Sequence, residues 1–165
     1  METTVLGIDP GLAIVGFGIV KINGNKVSFI NCGQIKTHKS ELHTQRLAVI
    51  VKSIKELVEE YQPTVVGIES LFFARNTSTA MKVAEARGAI LSVLASYPLS
   101  IVEHTPLQVK QSLTGYGSAD KQQVLKMIKS ILKLETLPGP DDISDALAIA
   151  VCTAFSHQTS NRMLK

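Results

Sequence analysis

The sequence predicts a single α/β domain whose core is a five-stranded mixed sheet flanked by helices. The first 35 residues contain three β-type apolar runs joined by short turns, which is typical of an antiparallel meander. Two further short apolar runs alternate with helical patterns, which is typical of parallel strands. With 165 residues, 45% of them hydrophobic and only 6 prolines, the chain can bury a core and is not mainly disordered. We expect residues 1–157 to form the domain and residues 158–165 to be a polar tail.

The antiparallel part of the sheet is predicted from two turn signals. A strand over residues 4–9 runs into Asp9 and is broken by a proline-glycine pair. A second strand covers residues 13–22, and Asn23-Gly24 is a strong hairpin signal before a third strand over residues 26–35.

The middle of the chain alternates helices and short strands. Apolar residues at helical spacing predict an amphipathic helix from about residue 41 to residue 61. A short buried strand over residues 64–69 follows and ends in Glu69. Residues 78–95 predict an alanine-rich helix, whose small side chains would let another element of this chain or a second subunit approach closely. Residues 99–102 predict the fifth strand.

Three helices are predicted in the C-terminal part. A threonine-proline pair at residues 105–106 is a typical helix start. Ser118, in a glycine-rich loop, is the expected cap of the next helix. After a Pro-Gly-Pro break, the last helix should run from Asp141 to about Phe155, and the polar residues beyond it should fray.

Composition restricts the location and the partners of the chain. No apolar run approaches the ~18 residues that a transmembrane helix needs, and we see no secretory signal. Cys32 and Cys152 match no metal spacing and are interpreted as reduced, buried thiols, so we expect a cytoplasmic protein without membrane association. The net charge of +3 by itself indicates only a mildly basic protein.

Four acids stand in positions where a carboxylate is costly. Asp9 and Glu69 each end a buried strand, whereas Asp142 and Asp145 are three residues apart on the core-directed face of a helix. A lone strand-end acid is satisfied by an arginine or lysine about as often as by a metal. Four such acids together favour a hard divalent cation with oxygen ligands. With these four of the 14 acids assigned to metal, 17 lysines and arginines face 10 remaining acids, a balance that suits a polyanion.

The motifs around these acids resemble the RuvC family of Holliday junction resolvases. They occur in the family's order and cover essentially the whole chain: Val-Leu-Gly-Ile-Asp-Pro-Gly at 5–11, Ile-Glu-Ser-Leu-Phe at 68–72, Ala-Arg-Gly at 86–88, Gln-Val-Lys-Gln at 108–111, Gly-Ser-Ala-Asp-Lys at 117–121 and Asp-Ile-Ser-Asp-Ala-Leu-Ala at 142–148.

The resemblance implies an RNase H-like fold and a junction-resolving endodeoxyribonuclease of homologous recombination and DNA repair. By resemblance, Asp9, Glu69, Asp142 and Asp145 are the catalytic carboxylates, and they bind two Mg²⁺ ions per subunit, for which Mn²⁺ can substitute. The expected reaction makes paired symmetric nicks with 5′-phosphate and 3′-hydroxyl ends. The resemblance also implies a homodimer and the branch-migration proteins RuvA and RuvB as partners.

Residues that would hold DNA follow from the same motifs. Phe72 matches an aromatic that stacks on a base at the junction centre. Lys110 and Lys121 match basic residues near the scissile phosphate, and Lys121 is also assigned to catalysis. Arg75 and Asn76 are polar and follow the aromatic directly, so they suit phosphate or base contacts. Arg87, Lys82, Lys126 and Lys129 could extend a basic surface.

Two other functions are compatible with parts of the pattern. Asp9-Pro10-Gly11 followed by Gly16 and Gly18 mimics the phosphate-binding hairpin of sugar kinases and actin-like ATPases. Those enzymes need a second, similar domain, for which 165 residues leave no room. A non-catalytic DNA-binding module is the other alternative. It predicts junction binding that is insensitive to Asp9→Asn, whereas a nuclease would keep binding and lose cleavage in that variant.

Overall fold

The computed structural model describes residues 2–70 and 77–163, and its centre is a five-stranded mixed sheet. The strand order is β3-β2-β1-β4-β5, with β1, β2 and β3 antiparallel and with β4 and β5 parallel to β1. The mixed sheet predicted from the sequence is therefore confirmed. The strands are β1 (Glu2–Asp9), β2 (Ile14–Asn23), β3 (Lys26–Lys36), β4 (Val65–Glu69) and β5 (Ser100–His104).

Helices cover both faces of this sheet, and two glycines let one of them approach closely. The side chains of β1 alternate between two buried clusters, so Val5 packs with α5 on one face and Leu6 packs with α1 and α2 on the other. A methyl group added at Gly7 would lie 2.4 Å from a backbone oxygen of α5, and one added at Gly18 would lie 2.9 Å from the backbone of the same helix. The helices are α1 (His43–Tyr61), α2 (Thr77–Leu94), α3 (Pro106–Thr114), α4 (Lys121–Leu132) and α5 (Asp141–Met163).

The last helix is longer than predicted, so the expected end near Phe155 is wrong. α5 continues to Met163 because no proline or glycine follows residue 140. Its polar residues support the helix instead of ending it: the hydroxyls of Ser156 and Thr159 donate to backbone carbonyls four residues earlier. The Gln158 side chain also donates to the carbonyl of Gly24 in the hairpin turn, at 2.9 Å.

The start of α4 also differs from the prediction. Asp120, not Ser118, is the N-cap residue, and its carboxylate accepts a hydrogen bond from the backbone N–H of Gln123 at 2.8 Å. The Gln123 side chain in turn accepts from the Asp120 backbone N–H, which completes a capping box. The predicted start of α3 at Thr105 is confirmed, with the same reciprocal arrangement.

Cys32 and Cys152 are both free thiols, as predicted. Cys152 is buried, whereas Cys32 is only half-buried, so the predicted burial is confirmed for Cys152 alone. Burial raises the pKa of both thiols, which keeps them protonated. Among the described residues, no helix is both long enough and apolar enough to cross a bilayer.

Candidate active site

Two acids meet where neighbouring parallel strands end. Ile8 of β1 pairs with Ile68 of β4, so Asp9 and Glu69, the next residue of each strand, lie side by side at one sheet edge. This juxtaposition follows from the parallel pairing, because parallel strands bring their carboxyl ends to the same edge.

The first turn of α5 brings two more acids to this edge. Asp9 pairs with Gly16 of β2, and a methyl group added at Gly16 would lie 2.1 Å from the carbonyl oxygen of Asp142. Only a glycine therefore lets α5 begin so close to the sheet. Asp142 and Asp145, three residues apart, then project from the same turn over the end of β1.

Burial and the charges of the other three acids change the pKa of Asp9. Burial, and then the charges of Glu69, Asp145 and Asp142, raise the pKa of Asp9 from 3.8 to about 7. The pKa of Glu69 is also raised, by burial and by the charge of Asp145. With a pKa of about 7, the Asp9 carboxyl group keeps its proton in a large fraction of molecules at neutral pH unless a cation binds beside it.

The donor set at this edge suits a hard cation. Among residues 2–70 and 77–163, Asp9 and Glu69 form no ion pair, and no three acids, histidines or cysteines are close enough together to form a ready coordination sphere. Asp142 instead accepts a hydrogen bond from the Gln34 side chain at 2.9 Å, and Asp145 accepts one from Lys121 at 3.2 Å. The four carboxylates at this edge are oxygen ligands of the kind that Mg²⁺ or Mn²⁺ prefers, so their chemistry fits such an ion, around which the side chains would have to move closer together.

Two lysines border this cluster on its Asp145 side. The Lys121 ammonium lies 3.2 Å from carboxylate oxygens of both Asp141 and Asp145. Burial alone would lower the pKa of Lys121, but the hydrogen bonds to Asp141 and Asp145 outweigh it and raise the pKa. A cavity of about 270 Å³ is lined by Glu69, Lys110, Lys121 and Asp145, so the structure brings both predicted lysines to the acids.

Sequence reasoning missed two residues that contact the acidic segments. Gln34, in the middle of β3, gave no sequence signal beyond being a polar residue in a strand. Arg87 was interpreted as part of a basic surface, but its side chain is only 14% exposed. Its Nε donates to the backbone carbonyl of Glu69 at 3.0 Å, and its guanidinium pairs with Glu103. Arg87 thus ties α2 to the ends of β4 and β5.

His104 has a structural role beside the acids. Its Nε2 lies 2.9 Å from the Thr153 hydroxyl of α5, and burial lowers the pKa of the ring. Its backbone carbonyl accepts hydrogen bonds from both the N–H and the hydroxyl of Ser70, which directly follows Glu69. His104 therefore braces the strand end that carries Glu69.

Phe72, Arg75 and Asn76 lie outside the described residues. Their predicted contacts with DNA stay predictions.

Comparison with known proteins identifies relatives across nearly the whole chain. A family model described as Crossover junction endodeoxyribonuclease RuvC matches residues 5–153. A relative of that name from Alkaliphilus metalliredigens is 54% identical over 152 residues, which cover 92% of this chain and 93% of the relative. One from Natranaerobius thermophilus is 45% identical and covers 96% and 99%, respectively.

The fold has a solved counterpart. The structure of Thermus thermophilus RuvC in complex with Holliday junction substrate aligns with a TM-score of 0.91 and 34% identity, over 96% of each chain. This likeness confirms the RNase H-like fold expected from the sequence.

Proposed function

This chain belongs to the RuvC family of crossover junction endodeoxyribonucleases, and we propose that it resolves four-way DNA junctions by metal-dependent hydrolysis of phosphodiester bonds. The observation that carries the proposal is the convergence of Asp9, Glu69 and the first turn of α5, where burial and then repulsion by the other acids raise the pKa of Asp9 to about 7. Such a cluster is unfavourable unless cations bind to it. The Thermus relative, whose solved structure contains a Holliday junction, supports junction DNA as the substrate.

Two Mg²⁺ ions per subunit are the cofactors we propose, with Mn²⁺ as a substitute. Asp9, Glu69, Asp142 and Asp145 would hold them, and four carboxylates around two divalent ions leave the cluster near neutral charge. When bound, such a pair of ions supplies an activated water and stabilises the leaving 3′ oxygen of an in-line displacement. The products would carry 5′-phosphate and 3′-hydroxyl ends.

The chain's own residues orient this chemistry. Gln34 holds one oxygen of Asp142, which leaves the other oxygen free to bind a cation. Lys121 lies beside Asp145 and can move onto a phosphate oxygen when that acid binds metal, so we assign it to stabilising charge on the scissile phosphate. Lys110 lines the same cavity and would bind the DNA backbone.

The segment after Glu69 would contact the centre of the junction. We propose that Phe72 stacks on an unpaired base and that Arg75 and Asn76 contact phosphates or base edges. Stacking of this kind contributes about 1–3 kcal/mol per base. Phe72→Ala should therefore weaken junction cleavage and leave metal binding unchanged.

A homodimer would supply two related active sites for two symmetric cuts. We propose α2 as its interface, because Met81 is 64% exposed and Gly88, seven residues on, lies on the same helix face. A methyl group added at Gly88 meets no atom within 4 Å of its own chain. Gly88→Leu should therefore leave the subunit folded and shift sedimentation towards the monomer.

By family membership we further propose RuvA and RuvB as partners and the cytoplasm as the site of action.

The decisive experiment uses a synthetic mobile four-way junction with and without Mg²⁺. We expect paired symmetric nicks only with metal, and DNA ligase should seal the products directly because their ends are 5′-phosphate and 3′-hydroxyl. Asp9→Asn should bind the junction and not cut it. Cleavage retained in Asp9→Asn, or cleavage in EDTA, would contradict the proposal. ATP binding by the protein would instead favour the kinase-like alternative.

A further inference from the structure

A second cavity borders the acidic cluster on the side of Asp142. Its volume is about 410 Å³, and its walls come from the turn after β1, from α1, from α2 and from the start of α5. The polar side chains in its lining are those of Arg46, Lys82 and Asp142. Neither cation has a place in the chemistry proposed above.

Arg46 is held in place by a chain of hydrogen bonds. Its Nε donates to the Thr37 hydroxyl at 2.8 Å, and that hydroxyl donates to the carbonyl of Leu12 at 2.6 Å. The Thr37 backbone N–H also donates to the carbonyl of Ala13, at 3.0 Å. The guanidinium is thus fixed against the turn that follows Asp9 and, among residues 2–70 and 77–163, it uses only its Nε in doing so.

Both cations lack an acidic partner. Within the described part of the chain, Arg46 and Lys82 form no ion pair, whereas Arg87 and Lys121 each do. Asp142 lines the same cavity, but its hydrogen bond goes to Gln34. A partly buried guanidinium with free N–H donors beside an ammonium is a typical phosphate site.

The two cavities flank the acids on opposite sides. Asp142 borders the cavity of Arg46 and Lys82, whereas Asp145, one helical turn on, borders that of Lys110 and Lys121. A DNA strand laid over the acids would therefore meet one pair of cations before the cleavage point and another pair after it.

We propose that Arg46 and Lys82 bind a backbone phosphate of the cleaved strand, adjacent to the scissile phosphate and on the opposite side from Lys110 and Lys121. This subsite rests on the proposed function, since it requires the strand to cross the acidic cluster. It supplies positive charge to the phosphate next to the scissile one. The metal ions do not supply this charge, because they are neutralised by the acids.

The test is the salt dependence of junction binding in EDTA, where no cleavage occurs. The slope of log K against log salt is negative. Each phosphate that a variant no longer neutralises should reduce the magnitude of this slope by about 0.9 on duplex DNA. The double variant of Arg46→Gln and Lys82→Gln should remove about one such step, because the two cations share one phosphate, and Lys82→Gln alone should remove part of it. Arg46→Lys keeps the charge and should keep most of the slope.

The matched control is the double variant Lys52→Gln and Lys55→Gln, which removes two exposed charges from α1. Its slope should equal that of the parent protein. Equal decreases in both double variants would overturn the subsite, because a general charge effect would explain them, and so would an unchanged slope in the double variant of Arg46 and Lys82. If the parent protein itself neither binds nor cuts junctions, the proposed function fails and the subsite fails with it.

Discussion

Asp9→Asn should stabilise the metal-free protein, and the gain should depend on pH. The pKa of Asp9 is raised from 3.8 to about 7 by burial first and then by Glu69, Asp145 and Asp142. Between those two values the unfolded chain has released this proton and the folded chain has not. The free energy of unfolding of the parent protein therefore falls as pH rises from about 4 to 7, and then levels off. Asparagine has no proton to release, so the variant lacks this fall.

The size of the effect follows from the pKa. At about 1.4 kcal/mol per pKa unit, the rise at Asp9 corresponds to about 4 kcal/mol at pH 8. At pH 4.5, less than one unit above the unfolded pKa, ionisation of the unfolded state lowers the stability by only about 1 kcal/mol. The variant should thus exceed the parent in stability by a margin that grows by about 3 kcal/mol between these two pH values.

The assay is urea unfolding followed by far-UV circular dichroism, because the chain contains no tryptophan. Measurements in EDTA at pH 4.5, 6 and 8, at one protein concentration, give the margin directly. The matched control is Glu135→Gln, which removes the same charge from an exposed position. Added Mg²⁺ at pH 8 should stabilise the parent protein and not the variant, since the ion binds only the complete folded site.

Two results would refute this reasoning. A margin between Asp9→Asn and the parent that is constant from pH 4.5 to 8 would mean that neither burial nor the other acids raise the pKa of Asp9 in the folded protein. Equal stabilisation of both proteins by Mg²⁺ would mean that Asp9 is not a ligand. Loss of cleavage alone would show neither whether the pKa of Asp9 is raised nor whether Asp9 binds the metal. The stability measurement is therefore needed as well.

Three further predictions concern residues that hold the site together. Gln34→Leu removes a hydrogen bond to the Asp142 side chain and should lower the free energy of unfolding by about 1.5 kcal/mol; a decrease below about 0.5 kcal/mol in urea would contradict this role for Gln34. Arg87→Lys replaces a planar guanidinium, which uses separate nitrogens for the Glu69 carbonyl and the Glu103 carboxylate, by a single ammonium, so kcat on a junction should fall while KM stays near that of the parent protein. Arg87→Gln should reduce kcat further, and equal kcat in all three proteins would exclude a positioning role. Gly7→Ala pushes a methyl group against the backbone of α5 and should cost about 3 kcal/mol; an unchanged melting temperature would contradict this close approach.

Local signals placed most of the elements correctly. Strands that alternate between two buried faces, the Asn23-Gly24 turn and the Thr105 cap act over a few residues, so the chain alone reveals them. The errors arose where two local solutions compete. Ser118 and Asp120 can both cap a helix, and the glutamine three residues after Asp120 decides between them. The polar end of α5 has a composition typical of fraying, but its hydroxyls bond to the helix and Gln158 bonds to the distant hairpin turn.

Some features of the candidate site were also visible in the sequence, and others depended on the tertiary structure. The sequence by itself determined which acids end the strands and begin the last helix, because a carboxylate at the edge of an apolar run is visible without any fold. Only the tertiary structure decided what lies beside them: Gln34 reaches an aspartate 108 residues away, Arg87 reaches the end of β4, and Arg46 and Lys82 meet in one cavity. The physical reason is that these contacts depend on how helices pack across the sheet, and that packing depends on the whole core.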